Sequence, residues 1–220
     1  MPRSRISVMA GALSPQAGHV EIDGLRRRRS EEEELEIRRR VVFVPDHAWL
    51  PKNRTGRDYL HAVARLYEID DARLMEHANS LAELFEMREE ADRPIDSYSN
   101  GQKHKIAICA ALIAEPEALL LDEPFSGGLD PSGILALKRV LQHLAANGTT
   151  IVLSAPVPEL LEDLADRIAI LRDGRVAAVD TLDGLRKETG CDGPLSEVLQ
   201  HLVHPETLDN LNRYLQGRKP

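Results

Sequence analysis

Apolar positions along the chain fall into two spacings. Short β-branched or leucine-rich runs occupy residues 19–22, 41–44, 118–121, 150–153 and 168–171. Runs of this length, bounded by charged or turn residues, predict strands. Longer stretches between them carry apolar residues at helical spacing, as in Leu74, Ala78, Leu81, Leu84 and Phe85. Helices are predicted over residues 55–67, 71–85, 101–114 and 132–146, with shorter ones at 158–165 and 196–202. Thr55, with Asp58 three positions on, has the arrangement of a capping box. Asn147-Gly148 is a stop signal for the helix before it. Asp23-Gly24 marks a turn, and Arg172-Asp173-Gly174 is placed to join 168–171 to 176–179 as a hairpin. The alternation of strands and helices predicts an α/β fold with a largely parallel, helix-covered sheet.

Composition narrows what such a fold can do. The 220 residues suffice for one large domain, or one domain with a small appendage. Aromatics are only 4%, so Leu, Ile, Val and Ala must fill the core. A net charge of -8 lacks the basic footprint of a nucleic-acid binder, so no nucleic-acid partner is expected. Cys109 and Cys191 have no metal-like spacing and fit a reduced, cytosolic compartment. No stretch reaches the roughly 18 apolar residues of a membrane span, and the longest run, 106–114, ends at Glu115-Pro116. The basic start Met1-Pro2-Arg3-Ser4-Arg5 is not followed by a long apolar segment, which argues against a secretory signal. Work at a membrane would need a partner. Residues 26–40 run basic, acidic, then basic; they read as a solvated connection or helix, with a docking surface as the alternative.

Chemistry concentrates between Ser97 and Pro131. Ser97-Tyr98-Ser99-Asn100-Gly101-Gln102 opens an apolar helix. A small polar turn there leaves free N–H groups at the positive end of the helix dipole, which suits an anion. The same residues also fit an ordinary helix cap with Ser99 as N-cap. Ala118-Leu119-Leu120-Leu121-Asp122-Glu123-Pro124 ends an apolar strand in two acids, at the edge where open α/β sheets bind ligands. Asp122 is suited to Mg²⁺ and Glu123 to orienting or deprotonating a water, although a strand entering a charged loop looks the same. Phe125-Ser126-Gly127-Gly128-Leu129-Asp130-Pro131 follows directly. Residues 150–153 then lead into Ser154-Ala155-Pro156.

Order and spacing make this set specific. Gln102 and Asp122 lie twenty positions apart, room for one helix and one strand. The joint pattern resembles the ABC-type ATPase family over about residues 8–190. Ser99, Asn100, Gly101 and Gln102 resemble the family's signature, with Asn100 in place of one Gly. Residues 118–123 resemble its Walker B strand and catalytic Glu. Leu129-Asp130 resemble its D-loop, and Val44-Pro45-Asp46 its Q-loop, with Asp46 where Gln or Glu is usual. Gly11 to Pro15 and Gly18 to Gly24, then Asp173-Gly174-Arg175 and Thr181-Leu182, resemble the segment after the phosphate loop and the closing strand.

The resemblance implies a P-loop NTPase-like domain over residues 1–190, with a helical subdomain near 50–100 and a helical tail over 191–220. It implies ATP and Mg²⁺ as ligands, Glu123 as the catalytic residue, and Asp122 and Asp46 toward the metal. Ser99, Asn100, Gly101, Gln102 and Asp130 would face the nucleotide. The implied function is that of an ATP-binding subunit driving transport by a separate membrane subunit, with most resemblance to the simpler bacterial exporters of the ABC-2 type. It would pair with a second nucleotide-binding subunit and sit in the cytoplasm, on the inner face of the membrane.

The pattern is incomplete. No Gly-Lys pair occurs, so the phosphate-cradling Gly-x-x-x-x-Gly-Lys-[Ser/Thr] is missing. Aligned from Gly11, the chain begins inside that motif, and the strand before it is expected to be lacking. ATP binding in cis is then expected to be weak, and the sheet to carry unpaired edges. Pro156 stands where the family has its γ-phosphate His, and Gly127-Gly128 doubles a single Gly, which can shift Asp130. Two readings follow: a fragment of an active subunit, or a hydrolysis-deficient subunit that lends its signature to a partner's site or acts as a scaffold.

Overall fold

The structure, a computed structural model, describes residues 5–203, 206, 210 and 213–215. The chain divides into two compact units, Met1–Ser154 and Ala155–Pro220.

The first unit opens with helix α1 (Arg5–Met9) and an antiparallel ribbon of β1 (Glu21–Ile22) and β2 (Leu25–Arg26). Only the last two positions of the 19–22 run pair as a strand. The turn is where Asp23-Gly24 placed it, with φ +49° and +77°. The charged segment becomes α2 (Glu31–Arg40). Ser30 caps it, four glutamates fill its first turn and three arginines its last, so its charges oppose the helix dipole. Glu34–Arg38 and Glu36–Arg40 are i,i+4 ion pairs. Its single buried residue, Ile37, joins Ile6, Val41 and Leu120 in one apolar cluster. Arg27 is buried behind this layer, donating to the Met9 carbonyl (2.7 Å) and to Glu34 (3.0 Å).

Three parallel strands form the main sheet in the order β3 (Val41–Val44), β4 (Ala118–Leu121), β5 (Thr150–Leu153). Leu119, Leu120 and Leu121 on the central strand are buried, as parallel strands require. Helix α5 (Asn100–Ile113) is buried along its length from His104 to Ile113. A helix apolar all round belongs inside, and α3 (Gly56–Leu66) and α4 (Asp71–Leu84) pack against it. The Thr55–Asp58 capping box is present, and Asp70 caps α4. Burial in α5 pushes the Cys109 thiol up to about 12, so it stays protonated and serves packing. Helix α6 (Pro131–Ala146) ends at Asn147, with Gly148 at φ +97°.

The second unit holds the hairpin β6 (Ile168–Arg172) and β7 (Arg175–Asp180), turned by Asp173-Gly174 at φ +49° and +76°. Helices α7 (Leu182–Thr189) and α8 (Leu195–Val203) cover Ile168 and Ile170 with Leu185, Leu195 and Val198. The helix expected at 158–165 is instead a 3-10 turn, Pro158–Leu161. No side-chain hydrogen bond caps its N-terminus, and so short a helix recovers little of its nucleation cost. Part of the tail over 191–220 lies outside the described residues. Among the described residues, no helix is long and apolar enough to cross a membrane.

Candidate functional site

The carboxyl edge of the parallel sheet gathers three chain segments. Asp122 follows β4 directly, and its N–H donates to the Val44 carbonyl at 2.9 Å. Pro45-Asp46 therefore leaves the same edge beside it. Ser154 follows β5 and donates its N–H to the Leu121 carbonyl at 3.0 Å. Register alone thus brings Asp122, Glu123 and Ser154 together, although Ser154 lies some thirty residues downstream.

Glu123 departs from the strand sharply. Its φ is +51°, in the left-handed region, and its carbonyl accepts from the Ser126 N–H at 3.0 Å. For a residue with a Cβ this costs about 1–2 kcal/mol.

The helix start at Ser99 closes on itself. Ser99 Oγ accepts from the Gln102 N–H (3.2 Å), and Gln102 Oε1 accepts from the Ser99 N–H (2.9 Å). Gln102 Nε2 also donates to Glu90 (3.1 Å). Ser99 is thus the N-cap of α5. The capping leaves the Ser99 hydroxyl proton and the N–H groups of Asn100 and Gly101 at the mouth of the helix dipole.

Four contacts clamp this helix start to the loop 124–130. His104 is 5% exposed, and its Nε2–H donates to the Pro124 carbonyl at 2.7 Å. A Cβ added at Gly127 would lie 2.3 Å from the His104 ring. One added at Gly101 would lie 2.4 Å from the Gly128 carbonyl oxygen. Lys105 Nζ pairs with Asp130 Oδ1 at 3.0 Å, and the same oxygen accepts from the Gly133 N–H at 3.2 Å, capping α6. The doubled glycine therefore leaves Asp130 capping the helix that follows it.

Asp46 is placed differently from the two acids. It pairs with its neighbour His47 at 3.5 Å and lines a cavity of about 470 Å³ with Asn100, Lys103, His104, Ser126, Gly127 and Gly128. Among the sequence-derived residues, this cavity unites Asp46 with Asn100, while Asp122 and Glu123 are tied to Ser154 and Asp130 to Lys105. In the sequence Ser154 stood only in the run leading to Pro156, with no role of its own, and His104 was not marked at all. Nothing local marks Ser154, because its role depends on how β4 and β5 register.

The donors at the β4 edge fit a hard cation. Two adjacent carboxylates offer oxygen ligands, and Mg²⁺ takes one or two carboxylates together with phosphate and water. No group of three or more His, Cys, Asp or Glu that could hold a metal occurs among the described residues.

Electrostatics give one prediction. The hydrogen bond from Lys105 holds the Asp130 carboxyl below the usual carboxylate range. A depressed carboxyl stabilises the fold fully above about pH 4, the ordinary Asp value, and loses this as pH falls through its lower folded value. Asp130 is half exposed, so salt damps the effect. Lys105→Met is expected to flatten the acid limb of the thermal-stability curve below about pH 4. Thermal melts across pH check this; a variant that tracks the parent in shape at every pH refutes the pairing.

The sequence pattern of the ABC transporter family matches residues 4–126, more than half of the 220 residues. A daunorubicin resistance ATP-binding protein of Streptomyces coeruleorubidus is 35% identical over 187 residues, 85% of this chain and 58% of the relative. A cobalt import ATP-binding protein of Rhodobacter capsulatus is 36% identical over 172 residues, 76% of this chain and 60% of the relative. The chain thus spans less than two thirds of the length of these relatives. The solved structure of an ATP-binding subunit of an ABC transporter superposes with a TM-score of 0.82 at 29% identity, over 90% of this chain and 81% of that one. A dimeric ATP-binding cassette bound to ADP and Pi, 22% identical, shares the fold with a TM-score of 0.68, over 80% of this chain and 78% of that one. With the family's pattern matched from residue 4 to residue 126 on this parallel-sheet fold, the chain belongs to the ABC transporter family.

Proposed function

We propose that this chain is the ATP-binding subunit of an ABC transporter, coupling ATP binding and hydrolysis to transport by a separate membrane subunit. The observation that carries the reading is the clamp between the α5 start and the loop 124–130, beside Asp122 and Glu123. It joins a helix start with free N–H groups to the loop that leaves a sheet edge bearing two carboxylates. Relatives named for ATP binding in drug resistance and in cobalt import support it.

In this reading, Mg²⁺–ATP would be the substrate, with water attacking its γ-phosphoryl group and ADP leaving. Asp122 would hold the cation through a carboxylate oxygen, whereas Asp46 lines the cavity with Asn100 and takes no metal role. Glu123 orients the water and accepts its proton. Ser99, Asn100, Gly101 and Gln102 offer the α5 start to the phosphates of a nucleotide held by a second nucleotide-binding subunit, and Asp130 stands at that interface. The nucleotide-binding domain of this reading spans residues 1–190. These 220 residues hold no Gly-Lys phosphate loop, so on their own they bind ATP weakly. The protein works in the cytoplasm, on the inner face of the membrane through its partner. An apolar cleft beyond β3, flanked by Trp49 (85% exposed) and Leu66 (78% exposed), supports a protein partner on that side.

The test is ATP turnover by the purified chain alone and mixed with the second nucleotide-binding subunit. Turnover at background for the chain alone and well above it in the mixture is expected. Robust turnover by the chain alone would overturn the division of the site. Background in both would overturn the ATPase reading.

A further inference from the structure

We infer that Ser154 is a positioning residue for the acid pair, one hydroxyl setting both the Asp122 carboxylate and the Glu123 backbone before any ligand arrives. This rests on the reading of Asp122 and Glu123 proposed above. The residue is itself fixed first. It is the first position beyond β5, and its N–H continues the ladder onto the Leu121 carbonyl at 3.0 Å. Its side chain then faces the residues that follow Leu121. The Oγ–H donates to Asp122 Oδ1 at 2.8 Å, and Oγ accepts from the Glu123 N–H at 2.9 Å.

Each bond has a separate consequence. The first occupies one oxygen of Asp122 and so selects its rotamer, aiming the other oxygen away from Ser154. Groups that orient a metal-binding side chain in this way typically contribute 10–100-fold to metal affinity. The second supplies a partner for the Glu123 N–H, which the left-handed turn has removed from any strand ladder. Residues held at such angles persist only where neighbours over-determine them. Ser154 supplies that constraint from the adjacent strand. Metal ligand and water-activating side chain are thereby set by the same atom.

The experiment compares the isosteric pair Ser154→Thr and Ser154→Val, with Ser154→Ala as a smaller variant. In the full chain, amide exchange at Glu123 and the χ1 couplings of Asp122 are read by NMR. Val and Ala are expected to speed Glu123 exchange roughly tenfold and to average the Asp122 rotamer, with Thr restoring both. In the complex with the second subunit, the Mg²⁺ concentration for half-maximal turnover is expected to rise roughly 10–100-fold in Val and stay near the parent value in Thr. Unchanged exchange and couplings in Val overturn the inference. So does altered exchange with an unchanged Mg²⁺ requirement, which would make Ser154 a strand-end cap alone. If the parent complex shows no turnover, the proposed function fails by itself, and the two NMR readouts still decide whether Ser154 sets the pair.

Discussion

Glu123→Gln is expected to lower ATP turnover in the two-subunit complex by about 10²–10⁴-fold, the range for losing a general base. Stability should stay within about 0.5 kcal/mol of the parent. The two expectations are separable because of how the residue is held. The interactions that fix position 123 are made by its backbone: the N–H to Ser154 Oγ, and the carbonyl to the Ser126 N–H. An amide side chain of the same shape leaves both in place and pays the same left-handed φ. What it loses is the ability to accept a proton from water. Phosphate release under saturating Mg²⁺–ATP, with a thermal melt of the same sample, checks both halves. Parent-like turnover would remove Glu123 from the chemistry and favour an interaction module on this scaffold.

Gly101→Ala and Gly127→Ala are each expected to destabilise the first unit by about 1–3 kcal/mol, as overpacking does in close-packed interiors. The two differ in what must give way. At Gly127 the new methyl meets the His104 ring at 2.3 Å, and that ring is buried and bound to Pro124. At Gly101 it meets the Gly128 carbonyl oxygen at 2.4 Å, where only backbone can move. Removing the ring should therefore relieve the first and not the second. Gly127→Ala combined with His104→Ala is expected to cost less than the sum of the two single changes, while Gly101→Ala with His104→Ala should be close to additive. Urea melts of the singles and doubles measure this. Additivity in both pairs would show that His104 does not bear on Gly127. In the complex, either glycine variant should also weaken turnover, since it displaces the α5 start from the loop bearing Asp130.

What could be read in the sequence was mostly local. Thr55 with Asp58, Asn147-Gly148 and Asp173-Gly174 are short-range devices, and each ends or turns an element where its chemistry requires. Ser99 to Gln102 and Asp122-Glu123 were visible for the same reason, being contiguous. Ser154 was not, because strand register between β4 and β5 decides what it faces. His104 looked like one polar residue in an apolar helix, and only the fold shows it against Gly127. The run 26–40 left helix or connection open, because the helix within it, Glu31–Arg40, has a single buried side chain, Ile37. The strand expected over 19–22 shortened because its partner, Leu25–Arg26, is only two residues long.

The left-handed turn at Glu123 also gives random mutation a direction. Glycine adopts that φ without strain, so replacing Glu123 by glycine should recover on the order of 1 kcal/mol of folding stability while discarding the carboxylate. Selection for folding alone would thus run downhill at this one position, toward the residue that does no chemistry. A library at position 123 sorted for soluble expression should enrich glycine, and the same library sorted for transport should purge it. Holding a glutamate there is a standing expense that only a use for its side chain explains.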